Sequence, residues 1–150
     1  MNRSKKEKNN IIDGAKYKIA VVVSKFNSDI TGGMLKGALD VLKKNNVKDS
    51  NIKVIWVPGS LEIPLTCLRL ARTKKYDGLI ALGSVIKGGT DHYYYVAGES
   101  IRGVMEVMLQ TGLPIGMGII TTNNLKQAKE RSGKKNNKGA EAAQAVLEMM

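Results

Sequence analysis

The sequence predicts a three-layer α/β domain, in which a four-stranded parallel sheet lies between two layers of helices. Apolar runs of strand length recur at residues 19–23, 54–57, 79–82 and 115–120. These runs are nearly continuous rather than alternating, which is typical of strands that are buried on both faces. Segments of helical length separate them, and such regular alternation of strands and helices indicates a doubly wound fold.

The separating segments carry the apolar periodicity of helices. Residues 31–46 place Met34, Ala38 and Leu42 on one face and lysines on the other, which is amphipathic spacing. A second helix is predicted over residues 62–73, with a proline in its first turn, where proline is tolerated. A longer apolar stripe ends before Pro114. Two further helices are predicted over residues 124–131 and 139–149.

Length and composition fit one globular domain. The chain has 150 residues, 43% of them hydrophobic, which is enough to form a core. No apolar run approaches the roughly 20 residues that span a bilayer, so we expect a cytoplasmic protein without membrane contact. A single domain is expected at residues 11–150, after a flexible, basic tail at residues 1–10. The only cysteine, Cys67, excludes an internal disulfide, and we assign it and Trp56 to the core.

The positive charge is concentrated in two stretches of the chain. A net charge of +11 is a first indication of nucleic-acid binding. However, residues 1–18 and 126–138 hold 12 of the 24 basic and 3 of the 13 acidic residues, and therefore +9 of that charge. Aromatic residues make up only 5% of the chain and do not interleave with the lysines, as they do where bases are stacked. We therefore expect no nucleic-acid partner.

Residue types suited to chemistry follow the predicted strands. In an open parallel sheet, ligands bind beyond the carboxyl ends of the strands. The only phenylalanine, Phe26, follows the first strand, Glu62 follows the second, and the only histidine, His92, follows the third. The sequence therefore predicts a site at this edge of the sheet.

The connection after the third strand has the glycine spacing of a phosphate loop without its lysine. Gly83 and Gly88 are spaced as in the Walker motif, but Gly89 occupies the lysine position, which argues against a nucleoside triphosphatase. Gly89 and Thr90 stand at the start of a predicted helix, where free amides and the helix dipole favour an anion. A single phosphate fits this position, and a plain strand-to-helix turn explains the glycines equally well.

His92 and Arg131 are the candidates for proton transfer and anion binding. Imidazole readily gives and accepts protons near neutral pH. A lone histidine is more often structural or exposed, but the adjacent anion site and Glu62 favour catalysis. One histidine without clustered acids cannot hold a metal ion. Arg131 offers a planar fork for phosphate, although its basic stretch can also be a solvated helix end. Phe26 either belongs to the core or presents a flat face to a heterocycle.

Five collinear segments of the chain resemble the lumazine synthase family. They are VVSKFN at 22–27, VPGSLEIP at 57–64, ALGSVIKGGTDHY at 81–93, GIITTN at 118–123, and ERSG at 130–133 with NKG at 137–139. Each match is weak alone, but their common order is highly specific. The resemblance implies a sheet of flavodoxin-like order, with the N-terminal segment adding to a neighbouring subunit. It also implies condensation of 5-amino-6-ribitylaminouracil with 3,4-dihydroxy-2-butanone 4-phosphate in riboflavin biosynthesis, without metal or organic cofactor.

The resemblance assigns roles to individual residues. His92 would transfer protons, Phe26 would stack on the pyrimidine, and Glu62 would bind the ribityl hydroxyls. The pyrimidine substrate would be bound by Phe26, Ser60, Leu61, Glu62, Ser84, Val85, Ile86 and Met117. The phosphate-bearing substrate would be held by Gly89, Thr90, Arg131 and Lys138.

The resemblance also implies an assembly. In the family the site lies between subunits of a pentamer, with Met117 or Arg131 approaching from one subunit and the histidine loop from the other. The short link between Gly133 and Gly139 favours a closed shell of twelve pentamers, and riboflavin synthase is a candidate partner.

Two residues depart from the family pattern. Tyr94 stands where an acidic residue is usual, which removes a carboxylate that could orient His92. Met117 stands where an aromatic residue is common, which weakens one wall of the ring site.

Two other interpretations stay open. One is a non-catalytic lumazine or riboflavin carrier on the same scaffold. The other is a response-regulator-like domain, which would need an acidic cluster where the first-strand loop offers Asp29 alone.

Overall fold

The predicted architecture is confirmed by the structure, a computed structural model that describes residues 11–150. The predicted tail at residues 1–10 lies outside the described residues. The elements are β1 (Ile19–Ser24), α1 (Ser28–Lys44), β2 (Ile52–Val57), α2 (Ile63–Arg72), β3 (Gly78–Ile86), α3 (His92–Thr111), β4 (Ile115–Thr122), α4 (Leu125–Glu130) and α5 (Lys138–Met149).

The four strands are parallel and lie in the order β2-β1-β3-β4. β1 is an inner strand, in which Val22 is paired with Ile55 on one side and with Ala81 on the other. The chain moves outward from β1 to β2 and then crosses back to β3, so its direction of winding reverses between β1 and β3. The order is flavodoxin-like, as predicted, and it creates a topological switch point at the carboxyl ends of these two strands.

Alternate side chains of the sheet enter two separate cores. Val21, Val23 and Leu82 face a core that is closed by α1 and α5 and that also receives Ala128 of α4. Val22 and Ala81 face the opposite core, which is closed by α2 and α3. Helices α4 and α5 therefore lie on one face of the sheet, whereas α3, which begins at His92, lies on the other.

Helix α5 approaches α1 and β4 closely at two glycines. A Cβ at Gly139 would collide with the backbone carbonyl of Met34, and a Cβ at Gly116 would collide with the backbone of Ala142. Contacts of this kind leave no room for a side chain, so glycine is required at both positions. They fix where α5 begins and thus where the connection from α4 ends.

The end of β3 is the strand boundary that differs most from the prediction. β3 continues through Ser84 to Ile86, residues that the sequence placed in a loop because Gly83 and Ser84 interrupt the apolar run. In the structure Ser84 is paired with Ile120 and Ile86 with Thr122 of β4. The strand is extended by its pairing with β4, and such pairing cannot be inferred from the apolar pattern of one segment.

The assignment of Trp56 to the core is wrong, whereas that of Cys67 is confirmed. Trp56 lies on the edge strand β2 and is 41% exposed, since an edge strand has a neighbour on one side only. Cys67 is fully buried, and burial raises the pKa of its thiol from 9.0 to about 12. It is therefore an inert thiol of the core rather than a nucleophile.

The N-terminal part of the described chain is tied to its own domain. The backbone N–H of Ile12 donates to the Asn45 side chain at 2.8 Å, and that of Gly14 donates to the Asn45 carbonyl at 2.7 Å. Addition of the N-terminal segment to a neighbouring subunit stays a prediction. No helix between residues 11 and 150 is both long and apolar enough to cross a membrane.

Candidate active site

A cleft of about 350 Å³ opens at the carboxyl edge of the sheet, beside the switch point. Its volume is in the range of small-molecule sites. Three strand-to-helix connections contribute to its walls, as predicted from the residues that follow the strands. The lining residues are Phe26, Gly59, Ser60, Leu61, Glu62, Ser84, Val85, Ile86, Gly88, Thr90, His92, Tyr93 and Val96.

The connection from β1 to α1 presents Phe26 through a left-handed residue. Asn27 has φ 58° and ψ 47°, a conformation that asparagine tolerates better than most residues. Its side-chain amide donates to the Ser84 carbonyl at 2.9 Å, which ties this turn to the end of β3. The N–H of Phe26 donates to the Pro58 carbonyl at 3.2 Å. With its backbone held on both sides, the Phe26 ring is 70% exposed at the cleft. It does not belong to the core.

The connection from β2 to α2 is a single tight turn that points Glu62 toward the cleft. Ser60, Leu61 and Glu62 form a 3-10 turn directly before α2. Ser60 is buried against β3, where a Cβ on Gly83 would lie 2.5 Å from the Ser60 Oγ. Gly83 thus allows the turn to pack against the strand. Leu61 is half exposed and Glu62 is exposed.

The end of β3 forms the floor of the cleft. Val85 belongs to the core of the α2 and α3 face, and Ile86 packs on the opposite core. The hydroxyl of Ser84 is buried and has no hydrogen-bond partner among residues 11–150. A buried hydroxyl without a partner is costly, so this position favours a bound polar atom, either of solvent or of a ligand.

The connection from β3 to α3 leaves backbone amides open at the cleft. In the described part of the chain, the N–H groups of Gly88, Gly89 and Thr90 have no hydrogen-bond acceptor. Gly88 and Thr90 line the cleft, and Gly89 is exposed between them. The Thr90 hydroxyl accepts from the N–H of His92 at 3.4 Å. Free amides directly before a long helix are suited to an anion.

His92 is exposed at the first position of α3 and borders both the apolar lining and the open amides. Tyr93 and Val96 also line the cleft, although no site role was predicted for either residue. Val96 follows His92 by four residues, so the two share a helical face. This spacing could have predicted a site role for Val96, because any ligand at His92 contacts the same helical face.

Three of the predicted site residues lie elsewhere. Met117 is in the middle of β4, paired with Ala81, well before the carboxyl end of the strand. Arg131 ends α4 and Lys138 begins α5, on the face of the sheet opposite to α3. Within one chain, the structure does not bring these residues to the cleft.

The connection that carries Arg131 and Lys138 is fixed against α1 by Asn137. The amide of this residue donates to the Gly33 carbonyl at 2.9 Å and to the Ser132 carbonyl at 3.2 Å, and its oxygen accepts from the N–H of Ala140. Arg131 is 35% exposed at its side chain and donates to the Gln127 carbonyl at 3.0 Å. Lys138 forms an ion pair with Glu141 at 2.9 Å. Both cations are therefore held on a defined surface.

Comparisons with known proteins identify the family of the chain. Residues 16–150 match the family model described as 6,7-dimethyl-8-ribityllumazine synthase. The chain belongs to the 6,7-dimethyl-8-ribityllumazine synthase family. A relative in Blochmanniella pennsylvanica (strain BPEN), named 6,7-dimethyl-8-ribityllumazine synthase, is 55% identical over 137 residues, which cover 90% of this chain and 87% of the relative. The match to the lumazine synthase family includes every strand and helix of the domain.

Tyr94 packs beside the cleft against an aromatic ring and a lysine. The ring of Tyr94 lies edge-on to that of Tyr93, with a centroid distance of 5.2 Å and an interplanar angle of 81°. The Nζ of Lys87 lies 5.5 Å from the Tyr94 ring centroid. Tyr94 therefore contacts both a second aromatic ring and a cation.

Replacement of Asn27 tests how the Phe26 turn is held. Asn27→Gly removes the hydrogen bond to Ser84 but keeps a positive φ accessible, and we expect it to reduce stability by about 0.5–1.5 kcal/mol. Asn27→Ala removes the same hydrogen bond and keeps a Cβ in the left-handed region without the polar side chain that lets asparagine tolerate it, so it should cost about 1–2 kcal/mol more than Asn27→Gly. Thermal melting of the three proteins should rank them Asn, Gly, Ala. Equal melting temperatures would mean that this turn is not held by Asn27.

Proposed function

We infer that this chain catalyses the condensation of 5-amino-6-(D-ribitylamino)uracil with 3,4-dihydroxy-2-butanone 4-phosphate to 6,7-dimethyl-8-ribityllumazine, the reaction for which its family is named. One observation carries this inference. His92 lies between two unlike parts of one cleft, an apolar part with the exposed Phe26 ring and a loop with free amides. A heterocycle and a phosphate-bearing ketone need such parts at a common proton-transfer group.

The pyrimidine substrate occupies the apolar part of the cleft. The exposed face of Phe26 stacks on the ring, as aromatic faces do with flat partners. The carboxylate of Glu62 has no hydrogen-bond or ion-pair partner within residues 11–150, so it is available to accept from ribityl hydroxyls. Ser60, Leu61 and the strand end from Ser84 to Ile86 complete this part.

The phosphate of the second substrate occupies the loop before α3. The free N–H groups at Gly89 and Thr90 and the amino end of a 20-residue helix supply positive potential there. Within residues 11–150, Glu62 and His92 are the only acidic or basic residues that line the cleft, and no lysine or arginine does. A phosphate therefore needs a cation from outside this lining.

That cation comes from a second subunit. Arg131 and Lys138 lie on the α1 and α5 face, away from the cleft of their own chain, and Met117 is also remote from it. A site shared by two neighbouring subunits accounts for all three residues, since Arg131 and Lys138 lie at the ends of α4 and α5, and Met117 lies on the edge strand β4, packed on the α2 and α3 core. Such a head-to-tail contact closes into a ring, and we propose the pentamer that the family resemblance implies.

His92 moves protons while the substrates are held together. An amine of the pyrimidine attacks the ketone, a C–N bond forms, and water leaves to give a Schiff base. Loss of a proton beside this imine expels phosphate, and the second nitrogen then closes the ring with loss of water. An amine and a ketone condense readily and phosphate leaves well, so most of the rate comes from holding both substrates in register.

Turnover of the two substrates tests the function. The purified protein, mixed with both compounds, should form a product with lumazine absorbance and release inorganic phosphate. A non-catalytic carrier on the same scaffold would bind lumazine or riboflavin without consuming either substrate. Binding without turnover would reject the enzyme and support the carrier.

Replacement of His92 tests its weight in the mechanism. We expect His92→Ala to lower kcat by roughly tenfold to a thousandfold without abolishing it, within or below the usual range for general acid–base catalysis. Steady-state rates with both substrates saturating give the measurement. Complete loss of turnover with substrate binding intact would show that proton transfer, rather than substrate positioning, dominates the rate.

Mixed oligomers test whether Arg131 acts across subunits. Arg131→Ala alone should raise the KM of the phosphate-bearing substrate most, because the anion loses its paired charge. In oligomers co-assembled from equal amounts of Arg131→Ala and His92→Ala chains, about a quarter of the sites of a head-to-tail ring carry both native residues. Activity should therefore exceed that of either variant alone at low concentrations of this substrate. If mixing restores nothing, both residues act within one chain.

The outer surface supports further assembly. Leu65 of α2 and Met105 and Leu109 of α3 are exposed at 52%, 44% and 76%, and apolar side chains of this size on two packed helices are typical of a subunit contact. We propose that pentamers assemble further into a shell of sixty subunits in the cytoplasm, with riboflavin synthase as a partner. The native mass of the purified protein separates a pentamer from a shell.

A further inference from the structure

The contact between Lys87 and Tyr94 spans the loop that is proposed to hold phosphate. Lys87 directly follows the last residue of β3, and Tyr94 lies in the first turn of α3. The Nζ of Lys87 lies 5.5 Å from the centroid of the Tyr94 ring, which is within the range of a cation–π contact. The two residues therefore bracket residues 88–91 and connect the two ends of this loop.

The loop has few other attachments. The N–H of Lys87 donates to the Thr122 carbonyl at 2.8 Å and that of Tyr94 donates to the Asp91 carbonyl at 3.0 Å, so both ends are held. Between them, a Cβ at Gly88 or Gly89 would meet no atom within 4 Å. The open amides are thus positioned by the ends of the loop rather than by packing around its middle.

The charge of Lys87 is not cancelled by a close acid. Its ammonium group forms no ion pair among residues 11–150, and the groups around it are Tyr94, Tyr93 and Asp91. A hydrogen bond to Tyr94 raises the pKa of Lys87. The contact of Lys87 that the geometry shows is therefore with the ring of Tyr94 rather than with a carboxylate.

We propose that Lys87, oriented by the ring of Tyr94, is a positioning residue that adds positive charge to the phosphate loop of its own subunit. It supplements the charge that Arg131 and Lys138 bring from the neighbour. This inference rests on the proposed function in one respect, the identity of the phosphate-bearing substrate. It depends on an aromatic residue at position 94.

Kinetics of paired variants test the proposal. Lys87→Met removes the charge but keeps an apolar stem, and we expect the KM of the phosphate-bearing substrate to rise roughly threefold to tenfold. The KM of the pyrimidine and kcat should change less than this. Lys87→Arg keeps the cation and Tyr94→Phe keeps the ring, so both should leave the KM of the phosphate-bearing substrate close to that of the native protein. Tyr94→Leu removes the ring and should raise this KM as Lys87→Met does. Lys75→Met, at the opposite edge of the sheet, removes an exposed lysine as the matched control.

Several kinetic results would overturn the proposal. One is an unchanged KM for the phosphate-bearing substrate in Lys87→Met. Another is an equal effect of Lys75→Met, which would indicate only the net charge of the protein. A third is an equal effect of Tyr94→Phe and Tyr94→Leu, which would show that the ring of Tyr94 does not orient Lys87.

Binding of inorganic phosphate keeps this test separate from that of the proposed function. Titration of the assembled protein with inorganic phosphate, followed by calorimetry without the pyrimidine, needs no turnover. We expect Lys87→Met to bind phosphate about threefold to tenfold more weakly than the native protein and Lys75→Met. If the native protein shows no turnover, the proposed function fails while this comparison still decides the role of Lys87. If turnover is present and all three proteins bind phosphate equally, the role of Lys87 alone is rejected.

Discussion

The double pairing of β1 is the constraint on which the rest of the site depends. This strand is hydrogen-bonded in parallel to β2 on one side and to β3 on the other, so the connections that follow all three strands begin at the same edge of the sheet. The chain leaves β1 and β3 in opposite directions along the sheet, and the space between the departing connections is the cleft. The position of each wall of the cleft therefore follows from the strand order and does not depend on any particular side chain.

The fold was predictable because burial is recorded in the sequence. β1 and most of β3 are buried on both faces, and their runs of Val, Ile, Leu and Ala can be recognised directly. The helices were predictable from apolar residues at helical spacing. The apolar pattern gave a wrong prediction at two places. At the end of β3, Ser84 is polar although it is buried in the strand. Trp56 is apolar, but it lies on an edge strand and remains partly exposed to solvent.

The site was predictable only in part. That Phe26, Glu62 and His92 line one cleft was predictable because ligands bind beyond strand ends, a rule that needs no coordinates. The separation of Arg131 from His92 could not be inferred from spacing along the chain. It follows from which face of the sheet each helix covers, and that depends on crossovers between distant segments. The role of Asn27 was missed for a similar reason, because its partner Ser84 is 57 residues away.

Asn27 also makes the site sensitive to chemical ageing. Asparagine side chains are among the thermolabile groups of proteins, and loss of ammonia would convert this amide to a carboxylate. The Ser84 carbonyl, which now accepts a hydrogen bond at 2.9 Å, would then face a second acceptor, and the attraction would become repulsion. A single hydrolysis at a residue outside the cleft lining would thereby release the turn that carries Phe26. The working lifetime of the protein can thus depend on an amide that need not touch either substrate.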